Sequence, residues 1–284
     1  MFPEICQFHI APYIDSLIKW LTVAWGPAFQ AFSDVVLFLL LKIQALLLFI
    51  PWWLWIVAVV LISGLQTRRI GYPIIMGLLF FSIGVFGLWK VAMQTLAIII
   101  TSVSLSLVLG IPLGIAMAES DKINAVFTPV LDTMQTMPSF VYLIPALMLF
   151  GLGKVPAVVA TIIYALPPVV RLTNLGIRQV SMAVQEAATA FGATRWQMMK
   201  EVRLPLAMPS ILAGVNQTTM MALAMVVIAS MIGAGGVGEK VLIATNQMAV
   251  GNGFEAGWAI VVLAIIIDRL TQGVAKKWDP PKSA

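Results

Sequence analysis

The stretch GAGGVGEK, residues 233–240, is where glycines come close enough together to cradle a phosphate, with Gly233, Gly235 and Gly238 at G-x-G-x-x-G spacing and Gly236 between them. The chemistry fails on context. A phosphate loop needs lysine directly after its last glycine and then serine or threonine, yet Glu239 intervenes and Val241 follows Lys240, and no strand leads in. These glycines read instead as a flexible bend, an outer gate or a docking loop. Metal and redox chemistry lack their groups, since a single cysteine, Cys6, and a single histidine, His9, offer no disulfide and no zinc-ligand spacing. A second polar group, Asn216, Gln217, Thr218 and Thr219, interrupts an apolar run, with Asn216, Thr219 and Met220 on one helical face at i, i+3 and i+4. Asn216, Gln217, Thr219 and Met220 either line a path for solute or satisfy one another through interhelical hydrogen bonds.

The third candidate is a long polar stretch, Thr173 to Pro205, far longer than a turn between two membrane helices requires. Its interior reads EAATAFGATRWQMMKEVRLP. Glu186, Ala187 and Ala188 open a helix that breaks near Gly192, and a second short helix runs from Thr194 until Pro205 interrupts it. Two short helices lying on the membrane surface follow. Gly192 permits the bend, and the residues alone also fit a merely solvated hairpin.

The elements that position these residues are membrane helices. Of 284 residues 61% are hydrophobic and 10% charged, where a soluble domain carries roughly 25% charged side chains, so water is not the main solvent. The net charge of +5 sits mostly in loops, which points to topology and away from nucleic acid. At about 20 residues per crossing, spans are expected at 51–66, 71–89, 92–118, 138–153, 156–172, 207–232 and 255–272: seven, or eight if Val35 to Ile50 also crosses. That run is short and carries Lys42 and Gln44, so it is read as peripheral. Residues 12–31 form an amphipathic helix lying in the interface. With Arg195 inside, twelve basic residues fall on the inner side against five on the outer, which orients the chain. No acidic residue lies at the middle of an expected span, so proton or sodium coupling lacks its usual groups. The small residues Thr101, Ser102, Ser104, Ser106, Gly110 and Gly114 form a packing patch on the third span. Pro138, Pro145, Pro167 and Pro168 are expected to kink spans.

The pattern Glu186-Ala187-Ala188, three residues, Gly192, nine residues, then Val202, Leu204 and Pro205 resembles the EAA loop of binding-protein-dependent ABC importer permeases, with Val202 where that family usually has isoleucine. Residues 92–272 resemble the family's five-helix core. LDTMQTMPSFVYLIPALMLFGLG, ALPPVVRLTNLGI, LPLAMPSILAGVNQT and LAIIIDRLTQ resemble the glycine betaine, proline betaine and choline branch. The resemblance implies an all-α polytopic bundle with an N-terminal interfacial region (1–50), two accessory helices (51–89), a type I importer permease core (90–272) holding a cytoplasmic coupling loop (173–206), and a cytoplasmic tail (273–284). It also implies a transport subunit, not an enzyme, in a bacterial inner membrane. No cofactor is expected in this chain; ATP and Mg belong to an ABC ATPase partner. An extracytoplasmic solute-binding protein and a second permease copy are the other expected partners.

Overall fold

The computed structural model describes residues 10–66 and 71–275. Cys6, His9, the basic residues at 68 and 69, and the tail from 276 lie outside the described residues. Every regular element among them is helical: α1 (Ala11–Ala24), α2 (Gly26–Phe49), α3 (Trp52–Gln66), α4 (Gly71–Val85), α5 (Trp89–Glu119), α6 (Asp121–Thr136), α7 (Ser139–Phe150), α8 (Lys154–Arg178), α9 (Met182–Ala190), the single turn α10 (Arg195–Gln197), α11 (Leu204–Ala229), α12 (Val237–Asn246) and α13 (Val250–Ala275).

The centre of the bundle is α8, held between α5 and α11. Ala157, Val158, Ala165, Val169 and Val170 of α8 are wholly buried. Lipid gives helices no hydrophobic reason to associate, so close backbone approach and dispersion must do it. Small residues supply that approach. A Cβ added at Gly114 of α5 would lie 2.7 Å from both the Thr173 Cβ and the Val170 carbonyl oxygen, and one at Gly176 of α8 would lie 2.7 Å from the Ser210 Cβ of α11. Thr101, Ser102 and Ser106 are buried as the packing patch requires, whereas Ser104 faces outward.

The expected count of seven spans is not confirmed. Among the described residues, five helical runs are long and apolar enough to cross a membrane: α2, α5, α8, residues 195–232 and α13; a sixth crossing exists if the pair α6–α7, bent by 102°, is one broken span. Three local reasons account for the differences. First, α2 starts at Gly26, nine residues before the apolar run that was read as short, because the Gly26-Pro27 pair starts a new helix where the interfacial helix was expected to continue. Val36, Leu40 and Leu47 of α2 are buried, and Gln44 Oε1 accepts a 2.7 Å hydrogen bond from Lys154 Nζ, so α2 is joined to the bundle. Second, α3 and α4 have 15 described residues each, about 22 Å at 1.5 Å per residue against a hydrocarbon core of ~30 Å, and the residues between them, 67–70, lie outside the described residues. Third, residues 121–136, expected as an inner loop, form α6. Ser120 caps it by accepting the Ile123 N–H at 3.4 Å, and Met137, extended ahead of Pro138, ends it.

Candidate coupling site

Glu186, Ala187 and Ala188 lie in α9, and Glu186 and Ala187 are exposed. The helix stops at Gly192, whose φ of +82° is left-handed backbone that a side chain would strain. The chain restarts at Thr194 through a capping box: Thr194 Oγ1 accepts the Gln197 N–H and the Gln197 side chain accepts the Thr194 N–H. Bend and second helix thus fall where the sequence places them, while the first helix begins at Met182, four residues before the expected start at Glu186. The end differs, because Pro205 does not interrupt the run. Met198–Arg203 form a π-helical turn in which the Leu204 N–H donates to the Met199 carbonyl five residues back, and Pro205 sits in the first turn of α11, where its missing N–H is tolerated. Val202 and Leu204, half-buried, lie in and just after that turn. The surface element therefore passes into a core helix without a break.

Residues outside the EAA pattern fix this element. Gln185 Oε1 accepts from Arg203 Nε at 3.0 Å and Nη2 at 2.5 Å, while Gln185 Nε2 donates to the Val180 carbonyl at 2.8 Å. One side chain ties α9 to the π-turn and to the end of α8. Beneath it Arg178 donates to the Met117 carbonyl at 2.8 Å and to Asn174 Oδ1 at 2.9 Å, and pairs with Asp121 at 2.8 Å. Asn174 donates to Asn124 Oδ1 at 2.8 Å, and Arg171 is ion-paired with Asp132. These bonds lock the α5–α6 corner to α8. A cavity of about 1260 Å³ opens between them, lined by Arg178, Gln185, Glu186, Arg195, Trp196 and Met199 among others. Sequence reading missed Gln185, Arg203, Arg178 and the Asn124–Asn174 pair; the cluster of arginines in an inner loop was the only signal, and it was absorbed into topology. The element keeps large apolar side chains in the open: Phe191 is 94% exposed and Trp196 72%.

The path residues divide. Asn216 of α11 faces α13, donating to Asp268 Oδ1 at 3.1 Å and accepting from the Thr271 hydroxyl. Thr219 is buried and bonds the Val215 carbonyl of its own helix at 2.7 Å, Met220 is half-buried, and Gln217 is exposed. The glycine stretch is not the loose bend expected. Gly233, Gly235 and Gly236 have φ of +85°, +78° and +84°, but Gly236, Val237 and Gly238 are buried, and the Val237 N–H donates to Thr95 Oγ1 at 2.8 Å. A Cβ at Gly236 would collide with that hydroxyl. The turn is pinned to α5 because only a residue without a side chain fits against Thr95.

The described residues thus form an all-helical bundle with helices long and apolar enough to cross a membrane, in which a surface element runs without a break into a core helix. Solved structures of the MetNI methionine ABC transporter in inward-facing conformations share this fold; one matches with a TM-score of 0.61 over 68% of this chain and 96% of that chain at 19% identity. Residues 110–280 match the family described as binding-protein-dependent transport system inner membrane component. This chain belongs to that family. It is 45% identical over 281 residues to the glycine betaine/carnitine transport permease protein GbuB of Listeria monocytogenes, covering 97% of this chain and 98% of that protein. It is 47% identical over 264 residues to the glycine betaine/proline betaine permease ProW of Escherichia coli, covering 93% and 74%, and 44% identical over 272 residues to the glycine betaine permease OpuAB of Bacillus subtilis, covering 95% and 96%.

Proposed function

We propose that this chain is the permease of an ATP-driven importer for glycine betaine and related quaternary ammonium osmolytes, and that α9, the Gly192 bend and α10 are its coupling element. Glu186, Ala187, Ala188 and Gly192 enter a groove on a separate ABC ATPase, which holds ATP and Mg. Val202, Leu204 and Pro205 pass its motion into α11. In this reading the element faces the cytoplasm of an inner membrane, two copies of the chain enclose the solute path with Gln217 facing it, and an extracytoplasmic binding protein delivers solute near the bend at Gly233, Gly235, Gly236 and Gly238.

The observation that carries the proposal is the join: an exposed apolar surface on Phe191 and Trp196 leads through Gln185–Arg203 and the π-turn directly into α11. Apolar side chains this open at the polar end of a bundle suit a protein partner. Alternating access then follows from two packings of rigid helices, with the partner's nucleotide cycle supplying the free energy. The solute class rests on the printed names of the relatives.

Proteoliposomes carrying the chain with its ATPase and binding protein should take up radiolabelled glycine betaine only when all three are present with ATP. A cysteine at 187 should cross-link to the ATPase. Uptake by the permease alone, or cross-linking to nothing that hydrolyses nucleotide, would refute the reading; titration of the binding protein with betaine, choline and amino acids tests the solute.

A further inference from the structure

The segment Asp268–Gln272 of α13 enters the sequence reading only as part of a branch resemblance, and the structure gives it a physical role. Asp268 lies in a helix of mean hydropathy 1.9, and its side chain is 22% exposed, against 55% for Asp132 and 90% for Asp121 at the inner rim. A carboxylate in such surroundings is costly unless its oxygens are satisfied. Oδ1 accepts from Asn216 Nδ2 at 3.1 Å and from Gln272 Nε2 at 2.7 Å, and Oδ2 lies 3.9 Å from Arg269 Nε. Asn216 Oδ1 accepts in turn from Thr271. Both ends of one amide on α11 are therefore held by residues three apart on α13.

Two bonds set an angle as well as a distance, which a single contact or a smooth apolar seam does not. Breaking them leaves the Asn216 amide unpaired and returns Asp268 to Gln272 and Arg269 of its own helix alone, so parting α11 from α13 there forfeits both bonds together. α11 is also the helix that continues from the coupling element. We infer that Asp268 and Asn216 form a clamp that makes α11 and α13 move as one body, so that motion of α9 and α10 is delivered to two core helices rather than one. The clamp's place in transport rests on the coupling reading above; its existence as a rigid joint does not. Asp268 is thus a positioning residue.

The test uses spin labels on the exposed positions Ala213 of α11 and Val261 of α13, as Ala213→Cys and Val261→Cys with Cys6→Ser. With labelled permease diluted in unlabelled permease so that one copy per complex carries the pair, the expected result is one narrow distance, the same in the resting complex and with a nucleotide analogue trapped. Asp268→Leu should broaden it and lower solute taken up per ATP hydrolysed by about tenfold. Asp268→Asn keeps the Oδ1 acceptor and should keep both the narrow distance and the uptake ratio, which a role for the charge alone would not. A native distance that shifts between the two states, or Asp268→Leu labels as narrow as the native ones, overturns the clamp. Failure of the cysteine at 187 to reach an ATPase would strike the coupling reading instead, leaving the label distances on the resting permease to decide the clamp.

Discussion

Gln185→Ala should detach the coupling helix while leaving the bundle folded. The side chain accepts two N–H groups from Arg203, at 3.0 and 2.5 Å, and donates to the Val180 carbonyl at 2.8 Å. Hydrogen bonds to a charged group contribute about 1.5 to 3 kcal/mol each when shielded. Gln185 is half-buried, so a total of about 2 kcal/mol for the set is the appropriate scale. At 1.4 kcal/mol per factor of ten, the detached population of α9 should rise by roughly 30-fold. The helix has nine residues, too few to hold itself in water without tertiary support, where about 12 to 15 are needed. Hydrogen exchange read by mass spectrometry over residues 182–190 should therefore accelerate by that factor. Exchange over α8 and α5 should stay at its native rate, and uptake per ATP should fall. Gln185→Glu, which restores an acceptor for Arg203, should recover most of the protection. Exchange of α9 within twofold of native in Gln185→Ala would refute the anchoring argument.

Gly192→Val places a β-branched residue at φ +82°, a strain of about 1 to 2 kcal/mol, and should abolish uptake in cells while the permease still reaches the membrane; Glu186→Lys should likewise uncouple ATP hydrolysis from uptake. Gly114→Ala drives a Cβ to within 2.7 Å of Thr173 and the Val170 carbonyl and should lower stability by about 1 to 3 kcal/mol, seen as a reduced melting temperature in detergent. Thr95→Val removes the acceptor for the buried Val237 N–H, costing about 1 to 3 kcal/mol. It should make a cysteine at 239 react faster with a membrane-impermeant thiol reagent.

The core helices and the coupling bend were legible because their signals are local. The left-handed bend at Gly192, the cap at Thr194 and the small-residue face of α5 each depend on a few neighbouring residues. What sequence hid depends on distance along the chain or on backbone accommodation. Gln185 meets Arg203 across 18 residues and Arg178 meets Met117 across 61, so neither carries a mark of its own. Pro205 looks like a terminator by propensity, but it falls in the first turn of α11, where no N–H is required, and a π-turn carries the chain into it. Residues 121–136 read as a loop because their apolar positions are sparse, and an amphipathic helix tied to α8 by Asp132, Asn124 and Asp121 does not need more. The glycines at 233–236 were read as slack; in fact a hydroxyl 142 residues away holds their end.

That last contact limits how this end of the bundle can move. A hinged flap needs a stretch of chain that swings while its roots stand still, and here the stretch is stitched to the first turns of α5 through Thr95, with the Ile232 carbonyl taking the Gly153 N–H at 3.0 Å. The ends of three helices are sewn together at that rim. In the proposed transport cycle, opening at that rim then comes from whole staves leaning apart, as in a barrel loosened by its hoop, and the hoop is at the other end.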